Sequence, residues 1–117
     1  MESAMPRRLD RARNLILEWL RAPPRDPAFL AGQTDLEHRH EEIAQRFLTQ
    51  ARESGFESEI VKAGSGGATA YEVHWTHHGS SFVGFRQPPP EPSAEDALLA
   101  GCAALLENDW CRQRLPK

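Results

Sequence analysis

Three of the five histidines lie close together in the sequence, and imidazole is well suited to metal binding or proton transfer near neutral pH. They are His74, His77 and His78, in the stretch YEVHWTHHG of residues 71–79. A zinc ion needs three or four nitrogen, sulfur or carboxylate ligands, and the spacing H-x-x-H-H is feasible but is not an established zinc pattern. We interpret the stretch as an exposed strand and a polar turn, with a metal site on these histidines as an alternative, and no cofactor is predicted.

Other side-chain combinations give weak signals for catalysis. In EHRHEE, His38 can face Glu41 or Glu42 on one side of a helix, but HRHEE is not the H-E-x-x-H motif of metalloproteases. Ser80 and Ser81 follow the histidines in a tight turn, which provides neither a pocket wall nor an oxyanion hole. The sequence therefore predicts a protein that acts by binding and not as an enzyme.

Length and cysteine usage bear on the class of protein and its location. The 117 residues are enough for one domain with a hydrophobic core. Cys102 and Cys111 would fall on opposite sides of one helix, so neither a disulfide nor a shared metal is expected. The longest nearly uncharged run, residues 97–106, is well short of the roughly 20 residues that span a bilayer. The N-terminus has no apolar segment typical of a secretory signal, and we expect a cytoplasmic protein with no membrane partner.

Charge is distributed unevenly along the chain. The net charge is −3, but residues 26–111 carry fourteen acidic and five basic groups, whereas residues 1–25 and 112–117 are basic. An acidic body attracts basic partners.

Hydrophobic periodicity predicts three helices. The first is amphipathic, covers residues 8–21 and is followed by a proline-rich connector. The second begins with a capping box formed by Thr34 and Glu37 and ends near Gly55. The third begins after the cap residue Ser93, and its apolar character on nearly every side predicts that it is covered on more than one face.

Between the second and third helices the hydrophobic period changes to two, which is typical of strands. FESEIVKAG and AYEVHWT are the first two predicted strands, and the turn HHGS leads into a third, SFVGFRQ. The sequence therefore predicts an α+β fold with a three-stranded antiparallel meander packed by helices. This αβββα core covers residues 34–109, between an N-terminal helix and connector at residues 1–33 and a tail at residues 110–117.

The order of these elements resembles the double-stranded-RNA-binding domain family over residues 41–107. IAQRFLTQARESG corresponds to the first helix of that family, the strand region to its sheet, and SAEDALLAGCAALL to its second helix. The resemblance implies a helix, a three-strand meander and a helix. The family grips phosphates with lysines at the start of the last helix, where this chain has SAEDA at residues 93–97, and GSGGAT lacks the Pro-His pair of the family's loop. The RNA-binding residues of the family are therefore not matched.

Alternation in the predicted sheet gathers acidic side chains on its outer face. The residues assigned to this face are Glu57, Glu59, Glu72, His74 and Thr76, with Glu91, Glu95 and Asp96 near its rim. Tyr71, Val73 and Trp75 take the opposite, inward face. Together with apolar surface on the first and last helices, including Trp19 and Trp110, this face predicts a protein partner or a second copy of the chain.

One alternative function is binding of nucleic acid by a basic N-terminal arm. The arm would consist of Arg7, Arg8, Arg11 and Arg13, and its binding would weaken steeply with salt.

Overall fold

The structure is a computed structural model that describes residues 4–21, 24–25, 40–64, 67, 69–82 and 85–116, with side chains from residue 9 onward. The predicted capping box of Thr34 and Glu37, and also His38, lie outside these residues. The elements are α1 (Ala4–Arg21), α2 (His40–Arg52), β1 (Phe56–Lys62), β2 (Tyr71–His77), α3 (Ala94–Glu107) and the single turn α4 (Asp109–Arg112). The chain is α+β, and none of the described helices combines the length and apolar character needed to cross a membrane.

The N-terminal helix contributes to the hydrophobic core. Its apolar residues recur at helical spacing, and Ile16, Leu17 and Leu20 are buried. Arg25, beyond the end of α1, holds this helix in place: its backbone amide donates to the Leu20 carbonyl over 2.7 Å. The Arg25 guanidinium also donates to the Trp19 carbonyl and lies 4.2 Å from the centre of the Trp19 ring. α1 therefore packs on the body of the domain.

Helix α2 presents one apolar face to the core. Its buried residues are Ile43, Ala44, Phe47, Leu48 and Ala51. The ring of Phe47 meets that of Trp19 edge to face, with 5.2 Å between the ring centres, and this contact joins α1 to α2. The chain then turns through Gly55, whose φ of +91° lies in the region that glycine adopts without strain.

Strands β1 and β2 form an antiparallel ladder in which Phe56 pairs with His77. The inward residues Val73 and Trp75 are buried beneath α3. The indole Nε1 of Trp75 donates to the Gly101 carbonyl over 3.2 Å. A Cβ atom on Gly101 would come within 2.8 Å of the Val73 Cβ, so the glycine allows α3 to approach the sheet closely.

Helix α3 lies at the centre of the domain, with α1, α2 and β2 packed around it. Ser93 caps it, since the Ser93 hydroxyl accepts from the Asp96 amide over 3.1 Å. The prediction that this helix is covered on more than one face is confirmed. The Asn108 side chain caps the short α4 by accepting from the Cys111 amide over 3.0 Å. Residues predicted as a tail thus add Cys111 and Leu115 to the core.

The predicted third strand is wrong. Residues 81–87 were expected to pair along β2, but the described sheet has two strands, and the described residues of this segment adopt no strand. The turn before them does form: His77 and Ser80 exchange two backbone hydrogen bonds, of 2.8 and 3.1 Å. His78 and Gly79 between them have φ of 51° and 83°, as a type I′ hairpin turn requires.

The physical reason for the missing strand is a mismatch in length. After the pairing of Ser80 with His77, the next backbone pairing with β2 among the described residues joins Glu91 to Tyr71. Six positions separate Tyr71 from His77, whereas eleven separate Ser80 from Glu91, so a continuous ladder cannot contain the whole segment. Three of its residues are the prolines at 88–90, which have no amide hydrogen to donate to a neighbouring strand.

Candidate functional site

The three clustered histidines do not converge on one point. His74 lies on the outer face of the sheet, where its Nε2 donates to the Glu72 carboxylate over 2.8 Å. His77 is three positions further along the strand and therefore faces the core side. Its Nε2 donates to the Ser54 carbonyl over 2.8 Å, while His78 occupies the turn. In the described parts of the chain, no three His, Cys, Asp or Glu side chains are grouped as a metal ion would need.

His77 belongs to an aromatic cluster at the end of β2. Its ring centre lies 4.5 Å from that of Phe56 and 5.3 Å from that of Trp110. Phe82 stacks on Trp110 with 5.2 Å between ring centres, and the Arg114 guanidinium lies 3.7 Å from the Trp110 ring centre. Trp110 is 38% exposed, so most of its predicted apolar surface is used within the domain. These contacts give His77 a structural role.

The serines beside the histidines and the two cysteines differ sharply in exposure. Ser80 and Ser81 are exposed at the hairpin turn. Both cysteines are buried free thiols. Burial raises the pKa of Cys102 well above its usual value and that of Cys111 to about 11, although Arg114 acts in the opposite direction on Cys111. Both thiols are therefore protonated at neutral pH, which weakens them as nucleophiles.

The outer face of the sheet is acidic. The register places on it the five residues assigned to this face from the sequence, Glu57, Glu59, Glu72, His74 and Thr76. Glu57, Glu59 and His74 are exposed. None of the six outer positions of the ladder is lysine or arginine, so the face has a net negative charge.

The three acidic residues expected near the rim have different surroundings. Glu91 is only 1% exposed, next to its backbone pairing with Tyr71, and is not part of an exposed rim. The Asp96 carboxylate accepts from His40 Nδ1 over 2.8 Å, which links the starts of α2 and α3. Glu95 lines a groove beside β1.

The edge of β2 that faces away from β1 is closed by the chain itself. At one end Tyr71 exchanges two backbone hydrogen bonds with Glu91, of 2.7 and 2.8 Å. At the other end His77 exchanges two backbone hydrogen bonds with Ser80 in the hairpin turn. Between them the side-chain amide of Gln87 donates to the Val73 carbonyl over 3.0 Å. Few backbone groups on this side therefore remain for a partner.

The opposite edge of the sheet, on β1, is not paired with any of the residues that the structure describes. The Gly55 carbonyl accepts from the His78 amide over 2.8 Å, and the Ala63 amide donates to the Ala70 carbonyl over 2.9 Å, so alternate residues between them face β2. The residues whose N–H and C=O groups point outward are Phe56, Ser58, Ile60 and Lys62. No residue of the described parts hydrogen-bonds to these outward groups, and we call them the open edge.

A shallow groove of about 360 Å³ runs beside the open edge, and we call it the edge groove. It is lined by Glu41, Gln45, Ile60, Ser93, Ala94, Glu95 and Leu98. Ile60 is 43% exposed, although it lies on the core side of the ladder. The edge groove therefore offers apolar surface at Ile60, with carboxylates of Glu41 and Glu95 along its lining.

The arginines of the predicted basic arm do not form one surface in the described part of α1. Arg11 is exposed, but Arg13 lies two positions away, on another side of the helix, and its Nε atom is buried. The side chains of Arg7 and Arg8 lie outside the described residues.

A second groove, of about 490 Å³, lies between α1, α3 and the proline segment, but Trp19 and Trp110, which were named for the predicted apolar helix surface, are not among its described lining residues. Its apolar lining residues are Leu9, Ala12, Leu15, Pro88, Pro89, Ala100, Ala103 and Ala104.

No family model, curated protein or solved structure matches this chain. The resemblance to double-stranded-RNA-binding domains therefore stays a prediction, and the function has to be argued from the geometry.

Sequence reasoning missed the open edge as a candidate site. A signal for it was present, because Glu57, Glu59 and Lys62 lie on one predicted strand, and charged side chains are typical of strands at the edge of a sheet. The groove gave no such signal, since Ile60 and Leu98 are far apart in the sequence and meet only through packing.

Proposed function

We propose that this chain is a non-enzymatic protein-binding module that takes up an extended segment of a partner protein at the open edge of β1. The observation that carries the proposal is the row of outward N–H and C=O groups on Phe56, Ser58, Ile60 and Lys62. Strand addition uses such groups for affinity and the neighbouring side-chain surfaces for specificity. Both are present here, because the acidic face and the edge groove flank the same strand.

The surroundings of the edge favour a protein over nucleic acid as the partner. The side chains of Glu57, Glu59 and Glu72 repel a phosphate backbone next to the strand. The exposed side chains of Arg11, Arg112 and Arg114 are not among the residues of this surface. A second copy of the chain would bring the same carboxylates to the edge, so we expect a different protein as the partner.

A proline at position 58 tests the proposal. The Ser58 amide points away from β2, so Ser58→Pro removes an outward donor while the ladder with β2 keeps its hydrogen bonds. Ser58→Thr is the matched control, since it keeps the amide and suits a strand. Peptides selected from a displayed random library on the unmodified protein should bind Ser58→Pro at least about tenfold more weakly, and Ser58→Thr about equally.

Two results would contradict strand addition. One is equal binding of the selected peptides to Ser58→Pro and the unmodified protein. The other is that peptide binding changes the chemical shifts of backbone amides elsewhere in the protein but not those of β1. Sedimentation over a range of concentrations completes the test: a dimer that Ser58→Pro dissociates would make a second copy the occupant of the edge.

A further inference from the structure

We infer that the segment accepted by the open edge is a basic strand, in which lysine or arginine alternates with an aliphatic residue. This inference rests on the proposed strand addition and names the chemical class of the partner. It follows from the two surfaces that an added strand would meet, one on each face of the sheet.

The outer-facing side chains of an added strand would lie beside carboxylates. Cross-strand neighbours in a ladder are about 4.5–5.5 Å apart at Cβ, so these side chains would stand directly opposite Glu57 and Glu59. Glu72 lies one strand further in, within reach of a long side chain. Lysine and arginine fit these positions, because their long stems reach the carboxylates while the charged groups stay hydrated.

The inward-facing side chains of the same strand would lie over the edge groove. There they would cover Ile60, which is 43% exposed, and approach Leu98 and Ala94 at the start of α3. A valine, isoleucine or leucine at these positions removes apolar surface from water on both partners. The groove of about 360 Å³ is large enough to receive aliphatic side chains of this size.

The charges around the groove point in the same direction. Glu41 and Glu95 are the charged residues among those described in its lining. An acidic side chain of the partner would therefore meet carboxylates beside Glu57 and Glu59 and along the groove, and Lys62, at the end of the inward row of β1, is the one basic residue of that strand. A basic side chain meets the carboxylates of Glu57 and Glu59 on the outer face.

Synthetic peptides of defined chemistry test this inference. The probes are three fluorescent ten-residue peptides: valine alternating with lysine, valine alternating with glutamate, and the same valine and lysine residues in two separate blocks. The alternating valine–lysine peptide should bind at least about tenfold more tightly than either of the others in low salt, and its affinity should fall as salt rises. Equal binding of the glutamate peptide or of the block peptide would overturn the inference.

Substitutions on the protein separate the two faces. The double substitution Glu57→Gln and Glu59→Gln should lower the affinity for the valine–lysine peptide about two- to twentyfold in low salt. It should also reduce the salt dependence of that affinity. Ile60→Ala should lower the affinity for this peptide about fivefold. Val61→Ala, on the outer face of the same strand, should change the affinity less. An unchanged affinity in Ile60→Ala would remove the groove from the site.

Ser58→Pro distinguishes failure of the inference from failure of the proposed function. The glutamate peptide could bind as tightly as the lysine peptide, with neither peptide binding to Ser58→Pro. The edge then accepts an added strand but does not select basic side chains. If the lysine peptide binds Ser58→Pro as well as the unmodified protein, it sits elsewhere, and both proposals are wrong.

Discussion

The two edges of the small sheet carry similar backbone groups but are treated differently by the rest of the chain. Along β2 the outward groups of Tyr71 bond to Glu91, and the Val73 carbonyl accepts from the Gln87 side chain. Along β1 the equivalent groups of Ser58 and Ile60 have no bonds to described residues. An edge can thus be closed by an irregular segment that touches it at a few points, without a third strand.

The difference also shows two ways of keeping a sheet edge from aggregating. The β2 edge is covered, whereas β1, which has the same length of seven residues, carries the exposed charges of Glu57, Glu59 and Lys62. Such charges oppose pairing with most other strands and with a second copy of the chain, but they allow pairing with a strand of opposite charge. Protection by charge therefore leaves the edge available to a selected partner.

The largest expected difference between the two strands concerns stability. Trp75 on β2 is 7% exposed and Ile60 on β1 is 43% exposed, although both lie on the core side of the ladder. Trp75→Ala should lower the free energy of unfolding by about 3–5 kcal/mol, because it leaves a cavity under α3. Ile60→Ala should cost about 1 kcal/mol or less. Denaturant unfolding of both variants measures this, and similar losses would mean that the β1 side is as well packed as the β2 side.

Proline substitution at neighbouring positions of β1 distinguishes its two sides. Glu59 directs its amide toward β2, so Glu59→Pro removes a bond of the ladder and should cost about 1–3 kcal/mol. Ser58→Pro should cost clearly less, since the Ser58 amide points outward. Thermal or urea unfolding gives both values. A greater loss for Ser58→Pro would show that the assigned direction of the backbone groups is wrong.

Hydrogen exchange compares the edges without any substitution. The Tyr71 and His77 amides donate to Glu91 and Ser80, whereas the amides of Ser58 and Ile60 face away from the sheet. We expect the first pair to exchange at least about tenfold more slowly than the second. Amide exchange followed by NMR gives the rates residue by residue. Strong protection at both outward positions would mean that a further part of the chain covers β1.

The smallest expected effect concerns the single side chain that helps to close the β2 edge. Gln87→Ala removes the donor to the Val73 carbonyl and should lower the free energy of unfolding by about 0.5–1.5 kcal/mol. Arg86→Ala, at the exposed neighbouring position, is the control and should change stability by no more than about 0.5 kcal/mol. Equal small effects would show that Gln87 contributes nothing to closure.

Much of the fold could be predicted because it follows from local periodicity. The α+β class, the amphipathic α1, the Ser93 cap of α3 and the alternation that directs Val73 and Trp75 inward all depend on residues within a few positions of one another. The third strand failed because SFVGFRQ has strand-like composition, but its pairing depends on where the chain next returns to β2. That return occurs at Glu91, which the local pattern does not indicate.

The candidate site was predictable only in part, for the same reason. Alternation placed Glu57, Glu59 and Glu72 on one face, since the side-chain period of a strand is two. It did not show that Glu91 is buried, that Asp96 pairs with His40, or that Ile60 borders a groove with Leu98. Each of these depends on contacts between residues far apart in the sequence.

The sequence by itself determined which residues share a face of a helix or strand, because that depends on fixed backbone periods. It also determined the excess of acidic groups in the body of the chain. Only the tertiary structure decided which sheet edge is closed and which is open. Edge closure depends on the path of the chain between Ser80 and Glu91, and this path is set by packing and by the length of the segment, not by a local pattern.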